Sequence, residues 1–320
     1  MVTDWLLDSD PALRWQVERD LAGEPVEVWQ ATRARVPREG FGARLLALQD
    51  DDGQWAGGAF FPADFDFDGP EAQPGAGQPY TATTWPLNML REWGVPADAL
   101  GDTAAKLARN SRWEYDGSPY WHGEVDCCIN AWTLMNGLWL GADVDHLADW
   151  FVEHRLPDGG WNCEWVDGSM RSSVASTLNS LRALLAFEEA GRGTEAVTAA
   201  RHGGEEYLLE RRLMHRLSTG ELIGPWVTRL AYPFRHVYST LNALDYFRAA
   251  ALHDGAAPDP RLAEAVESVR AQRQPDGTWL QARRHPGRVW FEVDVDAGEP
   301  SKWLTFYASR ALSWWDSSSS

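Results

Sequence analysis

The sequence has no long hydrophobic run. No stretch of about 18 or more consecutive apolar residues occurs, so no membrane-spanning helix is predicted. The N-terminal residues, MVTDWLLDSDPALRWQ, carry acidic side chains where a signal peptide needs a basic region followed by an apolar one. We therefore predict a soluble protein that stays in the cytoplasm.

Cysteines and basic residues are also scarce. The chain has only 3 cysteines, two of them adjacent, which makes a poor disulfide framework, so we expect reduced thiols available for chemistry or metal binding. Lys and Arg number 29 against 47 Asp and Glu, giving a formal net charge of -18. Because polyanions are held by clustered Lys and Arg, nucleic acid is not expected as a partner. The same charge would repel a free diphosphate unless a few buried arginines reverse the field locally.

Tryptophan, by contrast, is abundant. The chain has 19 tryptophans in 320 residues, more than a core of this size normally uses. This excess indicates either a structural wedge that recurs along the chain or a cavity lined by aromatic rings.

The motif Asp-Gly-x-Trp occurs three times. It lies in LQDDDGQW (48–55), RLPDGGW (155–161) and QPDGTW (274–279). Each copy follows an amphipathic helical pattern, so the Asp-Gly pair is predicted to end the helix in a turn. Trp55, Trp161 and Trp279 are predicted to pack back on the helix ends as structural wedges.

Six further segments are apolar on more than one side and rich in small residues, Ser or Thr, which is typical of buried helices. They are residues 10–21, 81–90, 124–135, 171–185, 235–247 and 301–312. Segments charged on one face lie between them, so the sequence predicts alternating inner and outer helices. The simplest closed arrangement is an all-α barrel of up to six helix pairs, forming one domain over residues 1–316. Its inner helices would be parallel, with their N-termini at one mouth.

Three segments are predicted to lie outside the helices, and the first of them contains an acidic run. The Gly- and Pro-rich residues 60–80 are predicted to form a loop over the barrel mouth, and residues 317–320 a disordered tail. The acidic runs DFDFDG (64–69) and EVDVDAG (292–298) are predicted to be solvated edges or strands.

The first repeat resembles the QW motif of squalene-hopene and oxidosqualene cyclases. Gln49, Gly53 and Trp55 match its spacing in full, whereas Arg155 replaces the Gln in the second copy and Gln274 lies one position late in the third. The alternating helices resemble the (α/α)6 toroid that these cyclases share with protein prenyltransferase β subunits. The chain length corresponds to one toroid, as in single-toroid bacterial members of this superfamily.

The resemblance implies an active site in YWHGEVDCCINAW (120–132), at a predicted inner-helix start. Class II terpene cyclases protonate an alkene or epoxide with the middle Asp of Asp-x-Asp-Asp. Asp126 takes that place here, with Glu124 for the first Asp and Cys127 for the last. Burial and a nearby carboxylate would keep the acid protonated, and His122 could return the proton. The leading hypothesis is therefore the protonation-initiated cyclisation of a small hydrophobic isoprenoid, which needs no cofactor.

Aromatic rings would stabilise the carbocation in such a reaction, each by about 0.5–2 kcal/mol. The candidate substrate-binding rings lie on or beside the predicted inner helices: Trp85, Trp121, Trp132, Trp139, Trp303 and Tyr238. Core filling by the same rings is the alternative.

The second hypothesis is a zinc site. Protein prenyltransferase β subunits hold zinc with Asp-x-Cys at one inner-helix start and a His at another, which implies Asp126, Cys128 and His236 here. Cys163 could join them if the inner-helix starts gather at one mouth, and thiolate with imidazole is what zinc prefers. Such a protein would activate a thiol or water, as these β subunits and lanthionine cyclases do. The candidates for a basic diphosphate pocket are Arg229, Arg235 and Arg288.

Simpler explanations exist for the same residues. Asp126 could be only an N-cap that accepts from the backbone N–H of Cys128 or Ile129, worth about 1 kcal/mol. Cys127 and Cys163 could be small buried hydrophobic residues. A third hypothesis for the whole chain is a toroid that binds a hydrophobic ligand or peptide without turnover.

Overall fold

The computed structural model describes residues 2–318. This part of the chain contains thirteen α-helices: α1 (Val2–Leu7), α2 (Pro11–Asp20), α3 (Val26–Arg33), α4 (Gly40–Leu46), α5 (Thr84–Glu92), α6 (Thr103–Asn110), α7 (Cys127–Leu140), α8 (Asp145–Glu153), α9 (Val174–Glu189), α10 (Glu195–Glu210), α11 (Thr240–Asp254), α12 (Ala263–Arg270) and α13 (Lys302–Ser318). The described residues form just two short strands, β1 (Trp279–Leu280) and β2 (Pro300–Ser301), paired antiparallel. The predicted all-α class is confirmed. None of the described helices has the length and apolar composition needed to cross a membrane.

Each segment predicted to be an inner helix overlaps one α-helix of the structure: α2, α5, α7, α9, α11 and α13. From α5 to α13, each of these helices contacts the next in this order, and α13 contacts α2. Trp15 of α2 reaches the end of α5, because its indole N–H donates to the carbonyl of Trp93 (2.8 Å). The contacts form a closed cycle. This is the order that an α/α toroid requires, and the toroid itself stays a prediction.

Polar caps determine where several inner helices begin. The Ser173 hydroxyl accepts from the backbone N–H of Ser176 at the start of α9. Ser239 and Asn242 form a reciprocal capping box at the start of α11. Such caps satisfy backbone N–H groups that have no partner within the helix. Other helices contact members of this cycle: α8 and α10 contact α9, and α12 contacts α11 and α13.

The three repeat tryptophans are equivalent wedges. In each copy the indole N–H donates to a carbonyl ten residues upstream, near the end of the preceding outer helix. The pairs are Trp55 with Leu45 (2.9 Å), Trp161 with Phe151 (2.9 Å) and Trp279 with Val269 (2.8 Å). All three side chains are at least 98% buried, so the wedge prediction fits the observed packing. In the first copy Gln49 donates to the Gly53 carbonyl (3.0 Å), and in the third copy Arg273 donates to the equivalent Gly277 carbonyl (3.5 Å).

The same tryptophans also bind the inner helix that follows. Each donates its backbone N–H to a threonine hydroxyl at the start of that helix or in its first turns. The pairs are Trp55 with Thr83 (3.1 Å), Trp161 with Thr177 (3.1 Å) and Trp279 with Thr305 (3.0 Å). In each repeat, one tryptophan therefore connects two helices: its indole N–H bonds a carbonyl of α4, α8 or α12, and its backbone N–H bonds a threonine at or near the start of α5, α9 or α13.

Two buried arginines join distant helices through ion pairs. Arg201 of α10 is 1% exposed and binds three carboxylates: Glu188 (2.7 Å), Glu205 (2.8 Å) and Asp254 (2.6 Å). Arg310 of α13 binds Asp20 at the end of α2 (2.7 Å) and Asp245 of α11 (2.7 Å). The second cluster lies where the helix cycle closes.

The segment predicted to be a loop contains only a 3-10 turn, Pro70–Ala72. Arg288 connects it to the segment after β1 through ion pairs with Asp64 (2.9 Å) and Glu71 (2.7 Å). The aspartates of the run 64–69 are exposed, as predicted. Helix α13 includes the first two residues of the predicted tail, and the last two lie outside the described residues.

The second acidic run departs from the prediction of solvated edges at Asp294. This side chain is half-buried and accepts a hydrogen bond from the Ser301 hydroxyl (2.5 Å). Burial raises the pKa of Asp294 to about 6. The alternation of acidic and apolar residues was a misleading guide here, because the loop turns Asp294 towards the start of α13.

Candidate functional site

Helix α7 begins in an unusual way. Asp126 is the N-cap residue with an extended backbone, but its side chain makes no capping hydrogen bond, so the simple capping explanation is wrong. The backbone N–H of Cys128 is instead directed at the Cys163 sulfur (3.5 Å). The preceding turn is fixed by Asn130, which accepts from the Glu124 N–H (2.7 Å) and donates to the Glu124 carbonyl (2.6 Å). The Asp126 carboxyl group is therefore not needed to start the helix.

Three thiols meet at this helix end. Cys127 and Cys128 open α7, and Cys163 opens the 3-10 helix Cys163–Asp167, which follows the second Asp-Gly-x-Trp turn. The Cys127 and Cys163 sulfurs are 3.4 Å apart, and the three sulfurs all lie within 4.8 Å of one another. The predicted meeting of Cys128 and Cys163 is observed, and Cys127 joins them. All three cysteines are free thiols.

Two side chains of α9 surround the thiols. The Ser176 hydroxyl accepts from the Cys163 backbone N–H (3.3 Å) and donates to the Cys163 sulfur (3.5 Å). The Asn179 amide donates both to the Cys128 sulfur (3.4 Å) and to the carbonyl of His236 (3.3 Å). These contacts orient the sulfurs, and they were not predicted. The available signal was a Ser and an Asn within an otherwise apolar helix.

The thiols differ in their protonation. Hydrogen bonds from Cys127 and Cys128 lower the pKa of Cys163 well below its usual range. For Cys127, the hydrogen bonds with Cys128 and Cys163, together with burial, raise the pKa. The bond with Cys127 lowers the pKa of Cys128, but the bond with Cys163 and burial raise it by more. Of the three thiols, Cys163 is therefore the one whose surroundings most favour the ionised form.

Three carboxyl groups, those of Glu124, Asp126 and Asp167, lie near the Cys163 sulfur. Burial, followed by the charges of Cys163, Glu124 and Asp167, raises the pKa of Asp126 to about 7. Burial also raises the pKa of Glu124. Within residues 2–318, neither Glu124, Asp126 nor Asp167 forms an ion pair with Lys or Arg. The cluster is an acidic, thiol-rich site without a protein cation to balance it.

The two histidines of the sequence-based hypotheses lie elsewhere. His236 is in the irregular segment before α11, and its ring lies near Trp85 (6.0 Å between centroids) and Trp132 (6.4 Å). Its imidazole is not among the groups within 4.8 Å of the sulfurs, although the charge of Cys163 raises its pKa against the larger lowering effect of burial. His122 is exposed and packs against His146 (6.1 Å) beside an outer pocket. His122 therefore does not line the central cavity.

A central cavity of about 280 Å³ lies among the inner helices. Trp85 and Trp132 line it, as predicted for substrate-binding rings, but the other candidate rings are used elsewhere. The indole N–H of Trp121 donates to the Ala104 carbonyl, that of Trp139 to Val95, that of Trp303 to Val293, and the Tyr238 hydroxyl to Leu213. The cavity wall also carries charged residues: Arg91, Glu92, Arg182, Glu189, Arg235 and Asp245. Asp126, Glu124 and His122 are not part of this wall.

Of the three arginines predicted for a basic diphosphate pocket, one lines the central cavity and two do not. Arg235 lines the cavity, whereas Arg288 is held by Asp64 and Glu71, and Arg229 is exposed. Arg91 and Arg182, which were not predicted, line the cavity with Arg235. Arg182 lies within the predicted inner segment 171–185, and Arg91 directly follows the predicted inner segment 81–90.

Comparisons with known proteins leave the family open. No family model matches the chain, and no curated protein matches it. One solved structure that it resembles is described as the crystal structure of a protein from Actinoplanes. The two chains share 17% sequence identity and a TM-score of 0.46, over 96% of this chain and 90% of that one. Membership of the terpene cyclase and prenyltransferase superfamily stays a prediction.

Proposed function

We propose that this protein is a zinc protein, with the metal held by Cys127, Cys128 and Cys163. The observation that carries the proposal is the convergence of three sulfurs within 4.8 Å from two parts of the chain. Tetrahedral zinc with Zn–S bonds of about 2.3 Å requires sulfurs about 3.8 Å apart, so modest adjustment of this cluster would suffice. The Cys127–Cys163 separation of 3.4 Å is far longer than a disulfide bond of about 2.05 Å.

The charge around the thiols supports a cation. The Cys163 sulfur and three neighbouring carboxyl groups lie together without forming an ion pair with Lys or Arg, and burial together with these charges raises the pKa of Asp126. A divalent ion would reverse this and favour the ionised form of every ligand. Asp126 and His236 interact electrostatically with Cys163, and either would be available as a fourth ligand.

When bound, zinc would supply a Lewis acid that holds a thiol or water as its anion at neutral pH. The remaining roles belong to this chain. Ser176 and Asn179 donate to the sulfurs and fix their orientation, as outer contacts of metal ligands generally do. Trp132, one turn after Cys128 on α7, lines the central cavity, which would hold the reactant.

Elemental analysis tests the proposal directly. Tag-free protein purified without added metal is expected to contain about one zinc per chain. The Cys163→Ser variant should lose it, whereas His122→Ala, at an exposed site outside the cluster, should retain it. Asp126→Asn and His236→Ala, compared in the same way, identify the fourth ligand. Absence of metal, with all three thiols free to a thiol reagent on unfolding, would refute the zinc proposal.

The cyclase hypothesis stays a second candidate because of one observation. The pKa of about 7 leaves the Asp126 carboxyl partly protonated near neutral pH, as a general acid needs to be. Its carboxyl group does not line the cavity, and about 280 Å³ is at the low end of small-molecule sites, which run from about 300 to 1,000 Å³. Turnover of a polyprenyl substrate by metal-free protein, abolished in Asp126→Asn with the fold intact, would favour this candidate over zinc.

A further inference from the structure

The central cavity contains a group of arginines that the proposed zinc centre does not use. Arg91 comes from α5, Arg182 from α9, and Arg235 from the segment before α11. All three are partly buried and line the same cavity of about 280 Å³. Three guanidinium groups in so small a space repel one another, because a low-dielectric cavity screens charge poorly.

None of the three forms an ion pair within the described chain. Arg91 donates to the Asn136 amide oxygen (2.9 Å) and to the Met135 sulfur (3.4 Å). Arg182 donates to the Asn242 carbonyl (3.0 Å). The Arg235 guanidinium lies over the Tyr80 ring (4.1 Å), and among the described residues its Nε–H has no partner. The direct partners of all three are therefore neutral, and the nearby charges of Glu92 and Asp245 act on them without forming an ion pair.

The two most deeply buried arginines among the described residues are paired with carboxylates. Arg201 has three carboxylate partners and Arg310 has two. Carboxylates are plentiful, at 47 in the sequence against 29 basic residues. A buried charge without a partner costs several kcal/mol, so the unpaired set is unfavourable unless a ligand neutralises it.

The acidic residues of the cavity wall are mostly engaged. Asp245 is paired with Arg310 (2.7 Å). Glu92 accepts from the hydroxyls of Tyr232 (2.7 Å) and Tyr307 (2.8 Å). Glu189 is exposed, which places it where the cavity opens to solvent. With Asp245 paired to Arg310, the three arginines face Glu92 and Glu189, so an excess of one positive charge remains on the wall. This excess favours a singly charged anion over a multiply charged one.

The rest of the wall is apolar. It includes Trp85, Met89, Trp132, Met135, Leu185 and Phe234. An organic body would pack against these side chains, while a single carboxylate would accept from the guanidinium groups, which match it in geometry. We propose that the central cavity binds a small organic monocarboxylate with an apolar body. This inference stands whether or not zinc binds to the thiols.

Isothermal titration calorimetry with benzoate tests the proposal, with benzamide as the neutral probe of the same shape. Benzoate is expected to bind, and benzamide to bind at least about tenfold more weakly, because a hydrogen bond to a charged group is worth about 1.5–3 kcal/mol. Arg182→Met, which keeps the side-chain length and loses the charge, should weaken benzoate at least about tenfold. Arg109→Met, on the exposed face of α6, should leave it unchanged.

Several outcomes would overturn the proposal. These are no heat of binding with millimolar benzoate, equal affinity for benzamide, or tighter binding of inorganic phosphate, which would assign the cavity to another anion. If Arg182→Met does not fold by circular dichroism, Arg235→Met replaces it, because the Arg235 side chain makes fewer hydrogen bonds. Wild-type affinity in the folded variant would show that the arginines do not recognise the carboxylate. Zinc content is measured in parallel, so failure of the metal proposal is seen separately.

Discussion

We predict that the hydrogen bonds between the repeat tryptophans and buried threonine hydroxyls stabilise the fold. Replacing these threonines with valine should therefore lower the free energy of unfolding. Thr177 and Thr305 are completely buried, and each accepts the backbone N–H of a repeat tryptophan, at 3.1 and 3.0 Å. Replacing Thr by Val keeps the volume and the branched shape but leaves that N–H without an acceptor. The fold offers a matched control in Thr240, which is equally buried but whose hydroxyl has no partner among the described residues.

The expected magnitudes follow from this difference. An orphaned buried donor costs about 1–3 kcal/mol, so Thr177→Val and Thr305→Val should each lower the free energy of unfolding by that amount. Thr177 also donates a weak hydrogen bond to the Trp161 carbonyl (3.4 Å). The loss of unfolding free energy for Thr177→Val should therefore lie towards the upper part of this range. Thr240→Val removes an unsatisfied hydroxyl and should be neutral or stabilising.

Urea denaturation followed by circular dichroism measures these differences, with the denaturant dependence checked to be unchanged. The thermal midpoint should fall by about 2–4 °C for each kcal/mol lost. If Thr177→Val and Thr240→Val had the same stability within about 0.5 kcal/mol, the hydroxyls would not fasten the repeats, and our account of the wedge would be wrong.

Three further predictions concern stability. Arg201→Met leaves three carboxylates without their cation and should cost about 3–5 kcal/mol in urea denaturation, whereas an unchanged midpoint would mean that the cluster is not formed. The pKa of Asp294 is raised from 3.8 to about 6, so its stabilising effect is present below pH 3.8 and lost as pH rises through 6. The total change is at most about 3 kcal/mol, and Asp294→Asn should remove this part of the pH profile. Gly204→Ala would place its Cβ 2.6 Å from the Trp161 ring and should destabilise by about 1–3 kcal/mol, whereas Gly203→Ala meets mainly a flexible arginine tip and should be tolerated.

The repeats were predictable because their determinants are local. An Asp-Gly turn and a tryptophan ten residues after its acceptor lie within one stretch of sequence, and all three copies behave alike. The threonine partners were not predictable, because they lie 16–28 residues away and their pairing depends on how the next helix packs.

In the candidate site, too, the features with local determinants were predictable and those that depend on tertiary packing were not. Cys128 and Cys163 both lie at ordered element starts, and their predicted meeting is observed. His236 was expected at the start of a helix, but α11 begins four residues later at Thr240. Its position is set by tertiary contacts in an irregular segment, which periodicity cannot reveal. Arg91 and Arg182 were missed because an arginine in a helical pattern is usually read as part of an exposed face.

The ion pairs of Arg310 have a consequence for synthesis on the ribosome. Asp20 and Arg310 are 290 positions apart, and α13 is the helix that joins α2 to α11. Until α13 emerges, the nascent chain carries α2 and α11 with the apolar surfaces that α13 later covers. Chains with such late, long-range contacts expose hydrophobic surface while they wait, which favours aggregation. Ribosome-bound chains that end before Lys302 should therefore recruit chaperones, and release of α13 should end that dependence.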